Sequence, residues 1–149
     1  MTYDFDLLIE KINYLGEETV SKWGTMNSRQ MIIHCNNFIE VSFGLKKVSF
    51  FTKLFGRFFG KVYLNYLKTL GFNINNYPKN SRTLREFKPL ISNESFSNLK
   101  KKLIYNLQEI NNIQSQYTTH QIYGVIESKL FKKLVYFHTS YHFNQFGVL

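Results

Sequence analysis

Cysteine is almost missing from this chain of 149 residues: Cys35 stands alone. That excludes an internal disulfide and any zinc site built on several thiolates. Proline is scarce as well, and two prolines with eight glycines rule out collagen-like and proline-rich architectures. Acidic residues number ten against nineteen Lys and Arg, giving a net charge of +9. No long apolar run is present. The best candidate for a membrane span, residues 48–63, is interrupted by Lys53, Arg57 and Lys61, each costing about 2.5–3.5 kcal/mol at a bilayer centre. Residues 1–6 are acidic where a signal peptide needs a basic region. A cytoplasmic, reducing location is therefore expected, and one unpaired cysteine agrees with it. Aromatic residues, in contrast, are abundant: 15 Phe and 10 Tyr beside the lone Trp23. With 44% hydrophobic residues, the chain has the stock for one folded domain over residues 1–149.

Helical periodicity accounts for nearly all of that apolar stock. Phe5, Leu8, Ile9, Ile12 and Leu15 recur at helical spacing before Gly16. Asn27 and Gln30 have the spacing of a capping box. They open a second helix whose apolar face reads Met31, His34, Cys35, Phe38, Val41 and Leu45. A third segment, residues 50–70, carries Phe51, Leu54, Phe55, Phe58, Val62 and Tyr66 on one side, and Lys53, Arg57, Lys61, Asn65 and Lys68 on the other. Its phenylalanine face is expected in the core and its basic stripe in water, with Gly56 and Gly60 allowing close packing. Residues 71–89 hold both prolines and read as a long loop. Phe96, Leu99, Leu103, Leu107 and Ile110 mark a fourth helix, and a last one is expected from Ser128 to Gln145. Residues 116–123 are a short, isolated extended candidate, and no alternation is long enough to predict a strand. The expected fold class is all-α: four core helices, one additional amphipathic helix and a long loop.

Four histidines are the chemistry-bearing residues. His138 and His142 are four apart on the last helix, a spacing that places both imidazoles on one face, one turn apart. His138 continues the Leu130–Leu134 line, and His34 lies on the inward stripe of the second helix. Two readings stand side by side. Each imidazole can be an ordinary hydrogen-bonded core histidine, or the three can share one metal ion. The shared ion satisfies three ring nitrogens that otherwise need separate buried partners, at about 1–3 kcal/mol for each one unsatisfied.

The run from Trp23 through Met26-Asn27-Ser28-Arg29-Gln30-Met31 to His34 and Cys35 is similar to the start of the second helix in DinB-like proteins, the damage-inducible or YfiT-like metal-binding four-helix bundles. The end resembles one branch of that superfamily: His120-Gln121-Ile122-Tyr123-Gly124, then His138 and His142, then Gln145-Phe146-Gly147. Asn80-Ser81-Arg82-Thr83 after Pro78 resembles that branch's connecting loop. The resemblance implies an up-down-down-up four-helix bundle with a divalent metal, nickel or zinc, on His34, His138 and His142. It also implies a homodimer. Thiol-dependent transferases and isomerases and metal-dependent hydrolases are among such relatives, so a small-molecule substrate and a small-thiol cosubstrate are expected. The chain departs from the branch at Ser140, Tyr141 and Asn144, where Asp, His and Arg are usual. That puts activity, rather than fold, in question.

Other residues weigh less. Cys35 projects about 100° away from His34 around the helix and reads as a small buried hydrophobe. His120 reads either as a loop residue or as one reaching the substrate side. Glu40 projects to another face than His34, and Glu127 favours the dipole at the start of the last helix. The alternative to an enzyme is a non-catalytic helical protein that meets an anionic membrane, a nucleic acid or a partner through its basic helix. For the metal site, occupancy is expected to fall toward pH 6, with the fold itself surviving.

Overall fold

Side-chain caps mark where four of the five α-helices begin, the last being the exception. In the computed structural model, which describes residues 3–149, α1 (Phe5–Ile12) starts at Asp4, whose carboxylate accepts from the Leu7 amide at 2.8 Å. The expected capping box opens α2 (Ser28–Phe43). The Gln30 amide donates to Asn27 Oδ1 at 2.8 Å, and the Asn27 amide donates to Gln30 Oε1 at 3.0 Å. Gly44 ends α2 in the left-handed region at φ +82°, where a Cβ would be strained. Ser49 caps α3 (Phe50–Thr69) and Ser95 caps α4 (Phe96–Asn111). The final helix, α5 (Ser128–Gln145), begins where expected. Residues 71–89 carry only two short 3-10 turns, Ile74–Asn76 and Arg85–Phe87.

The largest core cluster joins α1, α2, α4 and α5. Phe5, Leu8, Ile12, Met31, Ile32, Leu103, Leu107, Phe131 and Phe143 are all but sealed from solvent. A polar link crosses it. The Asn106 side chain donates to Asn36 Oδ1 at 2.9 Å, and Asn36 donates to the Leu99 carbonyl at 3.1 Å, so α2 and α4 meet in one register. Buried amides without such partners would be costly.

The mainly helical class is as expected, but two finer expectations fail. Beside the helices, β1 (Tyr117–His120) and β2 (Gly124–Glu127) form an antiparallel hairpin where no strand is expected. Tyr117 pairs with Glu127 and His120 with Gly124. The hairpin escapes a periodicity search because each strand has only four residues and Gly124 takes φ +80° at its corner.

The phenylalanine face of α3 is also not core. Phe51, Phe55 and Phe58 are 68%, 59% and 71% exposed, and only Gly60, Leu64 and Leu67 of α3 are buried. The cause lies at the two glycines. A Cβ on Gly56 would fall 2.0 Å from Ile122 Cγ2, and one on Gly60 2.5 Å from the Tyr123 ring. The hairpin corner thus seats on the glycine side of α3, which turns the rings away from the core. Leu64 and Leu67 then pack on Leu134 and Phe137 of α5.

This burial pattern separates two substitutions that look alike in sequence. Phe131→Ala should destabilise the fold by about 3–5 kcal/mol, whereas Phe55→Ala should change stability by no more than about 0.5 kcal/mol. Urea unfolding of both variants against the parent measures the difference.

Candidate metal centre

His34 from α2 meets His138 and His142 from α5. The ring centroids lie 4.9 Å (His34–His138), 4.6 Å (His34–His142) and 4.7 Å (His138–His142) apart. Nε2 of His34 and Nε2 of His138 are 3.1 Å apart, and one nitrogen from each ring falls within 4.8 Å of the others. Nitrogens bound at ~2.0–2.1 Å to one tetrahedral ion would sit about 3.3 Å from each other. The three side chains the sequence nominates are therefore brought together.

Neighbours set which nitrogen each ring offers. His34 Nδ1 donates to the Phe87 carbonyl at 2.7 Å, leaving Nε2 as a bare acceptor. His142 Nδ1 lies 2.8 Å from Gln145 Oε1. The Gln145 amide nitrogen donates to the Trp23 carbonyl at 2.7 Å, so its oxygen faces His142 and accepts. That leaves His142 Nε2 bare too. His138 stacks on Phe38 at 3.8 Å between centroids, and its Nδ1 is buried with no partner among the described residues. His34 Nε2, 3.1 Å from His138 Nε2, and His142 Nε2 are thus two acceptor lone pairs in a cluster whose third imidazole carries a single N–H. A cation would satisfy all three, and the orienting carbonyl and amide are the usual outer support of histidine ligands.

Burial governs the proton affinities. It lowers the pKa of His34, with the bond to the Phe87 carbonyl opposing. It lowers that of His138 well below the ordinary value, helped by the two neighbouring imidazoles. For His142, burial and then His34 bring the pKa to about 3, with Gln145 opposing. Neutral imidazole, the form that binds metal, is therefore the resting form.

A cavity of about 1000 Å³ opens above the cluster. His34, His138 and His142 lie on its wall, Phe51, Phe55, Phe59 and Tyr63 of α3 line one side, and Asn80, Ser81, Arg82 and Thr83 line another. Thr52 donates to Glu86 Oε1 at 2.5 Å, tying the start of α3 to the loop. Tyr141 donates to the Pro78 carbonyl at 3.2 Å, tying α5 to the same loop. Ser140 is buried, and its hydroxyl has no partner among the described residues.

His120 is elsewhere. Its Nδ1 accepts from the Ile122 and Tyr123 amides at 3.1 and 3.3 Å, which folds the hairpin corner against α3. Cys35 is sealed in the core with Sγ 3.7 Å from Met31 Sδ, and burial pushes its thiol pKa up. Glu40 is paired with Lys46 and Lys102 at 2.7 and 2.5 Å. In the sequence Gln145 stands only as the end of the last helix and part of the Gln145-Phe146-Gly147 run, with no task of its own. Its setting shows only in the fold, where Gly24 sits at φ +85° and a Cβ would come 2.6 Å from Gln145 Nε2. The Phe87 carbonyl had no signal, because a backbone group in a loop leaves none.

No family model, curated protein or solved structure matches the chain, so the chemistry of the site rests on its own geometry.

Two measurements follow. Gln145→Ala should weaken metal binding about 10–100-fold, His142→Ala should abolish tight binding, and His120→Ala should leave it intact. Isothermal titration with zinc or nickel reads all three.

Acid should lower the stability of the metal-free fold. The unfolded chain takes up protons near pH ~6.5, while the folded one holds these rings neutral. Stability is thus complete above that pH. It declines as pH falls, toward about 4 for His120 and about 3 for His142, by up to about 1.4 kcal/mol per pH unit for each histidine. Urea midpoints measured from neutral pH downward should fall accordingly, and less steeply in His120→Gln.

Proposed function

We propose that this protein is a metal-dependent enzyme of the DinB-like kind, with one divalent ion, nickel or zinc, on His34, His138 and His142. The observation that carries the reading is the three-imidazole cluster in which two rings, held by Phe87 and Gln145, keep a bare Nε2 acceptor. Three neutral imidazoles from two helices leave positions open for substrate, the pattern of catalytic sites. An ion there polarises a carbonyl, or lowers the pKa of a water or thiol. The helices α1, α2, α4 and α5 are read as an up-down-down-up four-helix bundle, and the assembly as a cytoplasmic homodimer.

The chain's own residues hold and orient. Phe87 and Gln145 fix the tautomers of His34 and His142, Phe38 fixes the plane of His138, and the rings of α3 keep one wall of the cavity apolar. Among the described residues, Cys35 and Glu40 are unsuited as nucleophile or base: the Cys35 thiol is buried and protonated, and Glu40 is held by two lysines. The nucleophile is accordingly external, a water or the sulfur of a small-thiol cosubstrate, in a transfer or hydrolytic reaction. Asn80, Ser81, Arg82 and Thr83 offer polar contacts for the charged end of that thiol. Ser140, Tyr141 and Asn144 stand where relatives of that branch carry Asp, His and Arg. Tyr141 fastens α5 to the loop, so this position has a structural task here.

Metal analysis of protein expressed with nickel or zinc tests the proposal. About one divalent ion per chain is expected, falling to none in His138→Ala. A metal-free protein that also takes up no ion on titration overturns it. Turnover of electrophiles by the loaded protein in the presence of small thiols then separates transferase from hydrolase chemistry.

A further inference from the structure

The net charge of this protein resides in one stretch. Between Glu40 and Glu86 the sequence has nine Lys and Arg and no acid. Taking these nine from the nineteen cations leaves ten, against ten acids, so the rest of the chain is neutral. The stretch contains α3, whose own cations are Lys53, Arg57, Lys61 and Lys68. All four are exposed, and none is in an ion pair among the described residues.

Three ridges run along α3 at four-residue spacing. Phe51, Phe55, Phe59 and Tyr63 line the histidine cavity. Lys53, Arg57 and Lys61 form the basic ridge. Between them, on a helix turning 100° per residue, run Phe50, Leu54, Phe58 and Val62. This middle ridge lines neither the cavity nor the core, and its side chains are 72%, 41%, 71% and 65% exposed. Contiguous exposed apolar surface of this kind marks an interaction site. A second copy of the chain is a poor cover, since it would set one acid-free basic helix against another. Bare phosphates would engage the cations and leave the phenylalanines in water. An anionic bilayer surface engages both: aromatic and aliphatic side chains enter the headgroup–acyl boundary while flanking Lys and Arg meet lipid phosphates. Among the described residues no helix is long and apolar enough to cross a membrane, so the contact is peripheral.

We propose that α3 docks this protein on anionic lipid bilayers through the Phe50–Leu54–Phe58–Val62 ridge and the Lys53–Arg57–Lys61 ridge beside it. The cavity wall on the next face of the same helix then lies near the lipid, within reach of amphiphilic molecules. The docking does not depend on the metal reading and is tested on metal-free protein.

The test is co-sedimentation with vesicles of phosphatidylcholine, alone or with about a quarter phosphatidylglycerol, at about 0.05 M and about 0.3 M salt. Binding is expected only to the anionic vesicles, and weaker at the higher salt. Changing Lys53, Arg57 and Lys61 together to Gln should weaken it about a hundredfold, from roughly fivefold per cation. Phe50→Ser with Phe58→Ser should weaken it at least tenfold, and circular dichroism should show the helical content of both variants unchanged. Absence of binding to anionic vesicles overturns the proposal. So does binding that ignores the phenylalanines, as expected of a nucleic-acid or free-phosphate site. A solution dimer that Phe58→Ser dissociates overturns it too, by showing that a second copy covers the ridge.

Discussion

The site depends on how two imidazole N–H groups are occupied. His34 spends its Nδ1 proton on the Phe87 carbonyl, and His142 spends its own on Gln145. Each bond fixes a tautomer, and each tautomer leaves an unprotonated nitrogen in the three-imidazole cluster. In water such a convergence would relax by rotation or protonation. Here burial opposes protonation and packing opposes rotation, so the arrangement stays poised for a cation. Residues distant in sequence serve that end. The loop delivers Phe87, the Trp23 carbonyl holds Gln145, and Gly24 leaves room for the amide.

The hairpin plays a comparable part for the cavity. His120 gathers two backbone amides at its corner, and that corner meets α3 where Gly56 and Gly60 leave room. The same contact pins α3 by its glycine side and presents its rings to the cavity and to the surroundings. One helix thereby forms a wall within and an exposed face without. Its acid-free sequence keeps the outer face cationic along its length.

Much of this was legible beforehand. The helix start at Asn27 follows from its capping box, which is a local property. The grouping of His34, His138 and His142 was legible because helical periodicity converts spacing into direction: i and i+4 share a face, and both faces bore apolar neighbours. The hairpin was missed because four-residue strands carry too few alternations to register. The direction of α3 was misread for a different reason. An amphipathic helix in sequence has an apolar face, but nothing local says whether that face finds a core, a cavity or a membrane.

Sequence alone determined which residues are helical, which three histidines share an inward direction, and that Cys35 and Glu40 point elsewhere. These are consequences of backbone geometry and residue spacing. Tertiary structure decided what those directions meet: a carbonyl at Phe87, an amide at Gln145, a phenyl ring beneath His138, and a hairpin corner against two glycines. Such contacts join parts of the chain tens of residues apart. They are selected by how volumes and hydrogen bonds close around one another in three dimensions, a condition that no single segment carries.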